Sequence, residues 1–316
     1  MTQVRTNGIH LEAEVLDPPA GAVQNRDDGA APLPVLLIMG LGMQLTAWPD
    51  AFVEGLLARG HRVIRFDNRD IGLSSKLGTW GRPNLLATAI KDAIGLPIRA
   101  RYTLHDMAAD TAGMLDALGT PRVHVVGVSM GGMIGQILAA RHREHVASFT
   151  CIMSSSGARH LPGPTPAARS VMLARPRTTE PEAIVEHFIK VVQVIGSPGY
   201  PTPEDQARER VLRGVRRSVH PLGFVRQLVA ISATPDRSPL LREITAPTTI
   251  VHGHHDPLVP VAAAHDLAKK IPGAVLKVID GMGHDLPPGL IPTLIESIAQ
   301  TIARAEGQPA QVATPA

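Results

Sequence analysis

The sequence predicts an α/β protein in which a mostly parallel sheet, flanked by helices, is interrupted by an inserted helical cap. Three observations lead there. Short apolar runs alternate with helical patterns along most of the chain, as parallel sheets built from strand–helix–strand crossovers require. The alternation fails from about Gly157 to Ser238, where helices and Pro/Gly-rich loops follow one another without a convincing strand. A gap of that length within such a series marks an insertion. The third is Gly127-Val128-Ser129-Met130-Gly131-Gly132, which closes one apolar run and opens a helix.

Taken in order, Ile9 to Leu16 alternates roughly and suits an antiparallel edge hairpin. Residues 17 to 34 form a Pro/Gly/Ala/Asp loop. Val35 to Met39 is a buried strand, and Trp48 to Arg59 a helix with Phe52, Leu56 and Leu57 on one face, stopped by Gly60. His61 to Asp67 is the next strand. Leu77 to Arg101 is a further insertion with one amphipathic helix, on which Leu86, Ile90 and Ile94 share a face; by position, Leu86 and Ile90 would line the pocket entrance. Leu104 to Leu118 is helical and ends at Gly119. Val123 to Val128 and Phe149 to Met153 are strands on either side of a helix from Met130 to Ala140. Thr249 to His252 and Val275 to Ile279 complete the sheet, and Ile291 to Ala305 is the closing helix. The expected organisation is a core at 1–156 and 239–305, a cap at 157–238 and a disordered tail at 306–316.

With 316 residues and 44% of them hydrophobic, the chain can bury a substantial core. Aromatic residues make up only 3%, so core and pocket rest on Leu, Ile, Val, Ala and Met, and a stacking site for bases or sugars is disfavoured. The formal charge is +3, with the basic residues dispersed, so no nucleic-acid partner is expected. The densest group, Arg208, Arg210, Arg213, Arg216 and Arg217, reads as a solvated helix face. The single cysteine, Cys151, lies in an apolar run and reads as buried and inert. Met1 to Leu16 lacks the features of a signal peptide, and no apolar run is long enough to span a membrane. A soluble, cytoplasmic protein without a membrane partner is the expectation, and a homo-oligomer remains open.

Gly-x-Ser-x-Gly recurs by chance, but its place between strand and helix is the context of a nucleophile elbow. The turn forces the serine into a strained backbone conformation that lifts its hydroxyl above the sheet. Gly127 and Gly131 lack the side chains that would collide across it. A serine hydroxyl needs a base, and active sites of open parallel sheets gather at the carboxyl ends of strands. Asp256 follows the strand ending near His252, and His284 follows the strand ending at Ile279. The order Ser129, Asp256, His284 assigns a nucleophile, an orienting acid and a base. Asp285 and Asp236 are rival acids. Backbone N–H groups of Leu41, in Gly40-Leu41-Gly42, and of Met130 are candidate donors to an oxyanion. The group His252, His254, His255 and Asp256 has no recognised metal-ligand spacing, so no metal is expected.

These residues resemble the α/β-hydrolase superfamily. The elbow, the Asp256 loop and Gly281-Met282-Gly283-His284 carry the likeness, which runs from about Ile9 to Arg304. Met39-Gly40-Leu41 through Trp48-Pro49-Asp50, with Phe66-Asp67-Asn68-Arg69-Asp70-Ile71-Gly72-Leu73-Ser74, resemble a bacterial esterase branch that includes aclacinomycin methylesterase. That likeness implies an α/β-hydrolase fold with a helical cap, no cofactor, and ester hydrolysis through an acyl-serine. Serine at 129 disfavours dehalogenase and epoxide-hydrolase chemistry, which needs an aspartate nucleophile. The expected activity is a carboxylesterase acting on a small-molecule ester in an aliphatic, Met-lined pocket. C–C hydrolase, aminopeptidase, cofactor-free perhydrolase and a non-enzymatic binding module are the alternatives.

Overall fold

The computed structural model describes residues 1–23, 31–78, 81, 83–178 and 180–307. Its strands are β1 (Thr2–Thr6), β2 (Ile9–Leu16), β3 (Val35–Ile38), β4 (Val63–Phe66), β5 (Val123–Val128), β6 (Val146–Ile152), β7 (Thr248–Gly253) and β8 (Val275–Ile279). They form one sheet in the order β1-β2-β4-β3-β5-β6-β7-β8. β1 pairs antiparallel with β2, and β2 antiparallel with β4; every other pair is parallel. The hairpin expected from Ile9 to Leu16 thus has β1 as its other arm. Asn7 and Gly8, with φ of 45° and 77°, turn it, a dipeptide suited to a tight right-twisting hairpin.

The helices are α1 (Asp50–Ala58), α2 (Leu85–Ala93), α3 (Leu104–Ala117), α4 (Met130–Arg141), α5 (Pro166–Leu173), α6 (Pro181–Ile195), α7 (Glu204–Arg217), α8 (Pro221–Ser232), α9 (Ser238–Leu241), α10 (Ala262–Lys270) and α11 (Ile291–Ala305). Successive side chains of a strand point to opposite faces, and β3 shows the result. Leu36 and Ile38 join Met107, Leu115, Ile134 and Leu267 on one side, so α3, α4 and α10 cover that face. Val35 and Leu37 join Phe52, Leu56, Leu294 and Ile298 on the other, under α1 and α11. Full burial of such a side chain contributes roughly 1.5–3 kcal/mol. The methionines near the strand ends belong to these same cores: Met130 packs in the first, and Met39, Met153 and Met282 in the second.

Between β6 and β7 lie α5 to α9 and no strand among the described residues. The two ends of this segment meet. Arg237 N–H donates to the Ser156 carbonyl at 2.9 Å, and a Cβ on Gly157 would fall 1.8 Å from the Pro235 carbonyl oxygen. Arg237 is itself buried and has no carboxylate in hydrogen-bond contact among the described residues. Its guanidinium donates to Gln136 Oε1 (3.0 Å) and to the carbonyls of Thr234 (2.6 Å) and Ser155 (2.7 Å). Burial pulls its pKa down to about 10, so it stays charged at neutral pH. Arg237→Met would leave these acceptors dry, at about 1–3 kcal/mol each. Its expected loss is at least about 3 kcal/mol, read as a lower urea midpoint at unchanged m-value.

Two expectations change on the outside. On α2, Leu86 and Ile90 are 72% and 53% exposed, so the apolar stripe faces solvent while the helix meets α8 with another side. Glu306, expected to start the tail, closes the last turn of α11 through its N–H to the Ile302 carbonyl at 3.0 Å; residues 308–316 lie outside the described residues. No helix among the described residues is long and apolar enough to cross a membrane.

Candidate active site

Ser129 stands between β5 and α4 with φ 55° and ψ −117°, a region that costs a non-glycine residue about 1–3 kcal/mol. The turn is held in place by its neighbours. Ser129 N–H donates to the Ile152 carbonyl at 2.9 Å, and Ser154 Oγ donates to the Ser129 carbonyl at 2.8 Å. A Cβ on Gly127 would lie 2.4 Å from the Gly131 carbonyl oxygen, and one on Gly131 2.0 Å from that of Ile38. Both positions therefore accept only glycine.

The loops after β7 and β8 bring Asp256 and His284 to this serine. His284 Nε2 is 3.1 Å from Ser129 Oγ, and its Nδ1 is 2.7 Å from Asp256 Oδ2. An ionised carboxylate only accepts, so Nδ1 carries the proton and Nε2 is left to accept from the serine hydroxyl. Asp256 Oδ1 accepts the N–H groups of Leu258 (2.9 Å) and Val259 (2.8 Å). Burial works to raise the pKa of Asp256, but the His284 imidazole and these donors outweigh it and hold the carboxyl below its usual range. His252 Nε2 lies 3.5 Å from Asp256 Oδ2 and 2.7 Å from the Val259 carbonyl; burial lowers its pKa.

The rival acids go elsewhere. Asp285 accepts from Ser197 Oγ at 2.5 Å, and Asp236 caps the N–H of Ser238 at 2.9 Å. Of the histidine group, His254 and His255 are exposed while His252 is buried, and no set of three His, Cys, Asp or Glu among the described residues is placed to hold a metal. Cys151 is fully buried, its thiol pushed up to about 11 by desolvation.

Gly40 follows β3 directly beside the serine: a Cβ there would sit 3.3 Å from Ser129 Cβ and 3.9 Å from Oγ. The N–H groups of Leu41 and Met130 reach no protein acceptor among the described residues, and Met130 opens α4, where the positive end of the helix dipole lies. The His284 loop is pinned by residues that sequence reading did not single out. His284 N–H donates to the Ile195 carbonyl at 2.7 Å, and Gly283 N–H to Ser197 Oγ at 2.9 Å. Two buried ion pairs brace the turn after β4: Arg69 grips Asp110 with both Nε and Nη2, and Arg226 reaches Asp70 at 3.1 Å.

The arginine run on α7 is not a uniformly solvated face. Arg208 pairs with Glu186 and Arg213 with Asp50 at the surface. Arg217 turns inward to Asp67, whose side chain is fully buried, and Arg210 is desolvated near Asp285. Acidic partners on the sheet rim draw these two in, and charge spacing along one helix carries no sign of them.

A family profile described as the alpha/beta hydrolase fold matches residues 34–179. Rhodomycin D methylesterase DnrP of Streptomyces peucetius is 30% identical over 307 residues, covering 90% of this chain and 93% of that protein. The chain belongs to the α/β-hydrolase family. A 2-hydroxy-6-oxononadienedioate/2-hydroxy-6-oxononatrienedioate hydrolase of Cupriavidus pinatubonensis is 27% identical over 82% of both chains. Among solved structures, a meta-cleavage product hydrolase from Pseudomonas fluorescens superposes with a TM-score of 0.69 at 17% identity, covering 96% of this chain and 98% of that one. Such a likeness carries the fold alone. The methylesterase relatives make this member of the family a carboxylesterase-type hydrolase.

Proposed function

We propose that the protein hydrolyses a carboxylic ester through an acyl-serine intermediate, with Ser129 as nucleophile, His284 as base and Asp256 as the group that orients it. The observation that supports this most directly is the unbroken line from Asp256 Oδ2 through both imidazole nitrogens to Ser129 Oγ, with steps of 2.7 and 3.1 Å. Ser129 Oγ attacks the ester carbonyl as its proton passes to His284 Nε2, and the imidazolium returns that proton to the departing alcohol. A water then attacks the acyl-serine, gives a proton to the same nitrogen, and the acid leaves with Ser129 restored. Leu41 and Met130 N–H groups receive the oxyanion, each such donor being worth about 2.7–4 kcal/mol in the transition state. Residues 157–238 serve as the cap over a small-molecule ester.

The names of the methylesterase relatives put methyl esters first among substrates. The test is a panel of methyl and p-nitrophenyl esters, together with labelling by a fluorophosphonate probe and mapping of the modified peptide. Saturable ester hydrolysis with label on Ser129 is the expected result. A folded protein inert to both would remove this reading. Cleavage of a 2-hydroxy-6-oxo-dienoate, suggested by the Cupriavidus relative, would use the same three side chains; the higher identity to the methylesterases favours the ester, and running that dienoate beside the panel decides between them.

A further inference from the structure

Gly40 to Leu45 is the segment that presents the Leu41 N–H, and most of the side chains that hold it come from between β6 and β7. Met43 N–H donates to the Gly40 carbonyl at 3.2 Å, closing a four-residue turn with Leu41 and Gly42 at its centre. Gly42 has φ 71°, the positive value that a type II turn needs at its third residue. In that turn the Leu41–Gly42 peptide is rotated by about half a revolution relative to type I, so whatever holds the Gly42 N–H decides which form exists. The Gly42 N–H donates to Gln227 Oε1 at 2.9 Å. Gln227 is fully buried on α8, and its Nε2 donates to the Arg69 carbonyl at 2.8 Å. With a donor facing one end and an acceptor the other, the amide has one orientation. Phe224, one turn earlier on α8, fills the space where a side chain at Gly42 would lie, its Cδ2 2.6 Å from that Cβ position.

The far end of the segment is tied to α7. Gln44 Nε2 donates to the carbonyls of Gly214 (2.7 Å) and Ser218 (2.8 Å) at the helix C-terminus. Arg217 Nη1 meets Gln44 Oε1 at 2.8 Å and Asp67 Oδ2 at 2.6 Å, and Asp67 Oδ1 accepts the Leu45 N–H at 2.7 Å.

We propose that Gln227 is a positioning residue: through its side-chain carbonyl, α8 anchors the Leu41–Gly42 peptide and so fixes the position of the adjoining Gly40–Leu41 peptide, whose Leu41 N–H faces the reacting oxygen. The oxyanion site is then set by the inserted helices and not by the sheet alone. This rests on the acyl-serine reading above, so its test has one arm that needs no activity. Gln227→Met keeps the length of the side chain and removes the acceptor; Gln227→Glu keeps an oxygen for the Gly42 N–H. By hydrogen exchange, the peptide covering Gly40–Leu45 is expected to exchange at least about 10-fold faster in Gln227→Met, and less so in Gln227→Glu. In ester hydrolysis Gln227→Met is expected to lower kcat about 10- to 100-fold with KM within about 2-fold, because a misdirected donor loses part of the 10²–10³ that a deleted one costs. Gln227→Glu should recover part of that kcat. Unchanged exchange overturns the proposal whether or not the wild type is an esterase. Faster exchange with kcat unchanged, or a loss carried by KM alone, overturns it too. A wild type that binds no fluorophosphonate and cleaves no ester sinks the acyl-serine reading and the proposal's catalytic half, and leaves the exchange arm to decide whether Gln227 holds the turn.

Discussion

Ser129→Ala is expected to lower kcat for p-nitrophenyl ester hydrolysis by about 10⁵- to 10⁶-fold, the scale found when a triad nucleophile is removed. The loss is that large because the remaining groups have nothing to act on: His284 Nε2, 3.1 Å from Oγ, would face a methyl group. Alanine keeps the Cβ and takes the same positive φ, so the hydrogen bonds of the elbow backbone to Ile152 and Ser154 are retained. The thermal midpoint should therefore stay within a few degrees while fluorophosphonate labelling disappears. A folded Ser129→Ala protein hydrolysing at even a hundredth of the normal rate would move the chemistry to another residue.

Asp256→Asn should cost about 10⁴-fold in kcat at neutral pH, for a reason visible in the hydrogen bonds. Leu258 and Val259 both present N–H groups to one oxygen of Asp256. They would fix the amide of an asparagine with its oxygen toward them and its NH₂ toward His284. Nδ1 must then accept, the imidazole proton moves to Nε2, and the nitrogen facing Ser129 becomes a donor unable to take the hydroxyl proton. The fold is little changed, since each backbone donor keeps its acceptor. The measurement is kcat and KM at neutral pH, with the proton on His284 located by imidazole ¹⁵N shifts. A variant with Nδ1 still protonated, or with more than a tenth of normal kcat, would contradict this account.

Most strands, and the three side chains now in line, were readable in the sequence because local rules fix them. Buried parallel strands are apolar throughout, and the elbow needs glycines at fixed offsets, so Val123–Val128 through Gly131 announces both strand and turn. β1 carries little local signal because Thr2–Thr6 buries only two of its residues. α10 has no apolar stripe to mark it, since it is mostly alanine and charge with Leu267 as its one large buried residue. The inward turn of Arg217 and the placing of Gln227 had no local signal at all. Each depends on a partner more than a hundred residues away, Asp67 for one and Gly42 for the other. Spacing along one helix reports which residues share a face, not what another loop brings to that face.

The closed joint at Ser156–Gly157 and Pro235–Arg237 has an evolutionary consequence. Because the strands on either side are already bridged there, the intervening segment can be exchanged for one of another length or shape at little entropic penalty to the sheet. Substrate range can thus diversify by splicing, without redesign of the scaffold that carries the nucleophile. Such a graft inherits an obligation, though: it must supply a new acceptor for the amide of residue 42, or the transplanted roof will recognise molecules that the chemistry beneath turns over slowly.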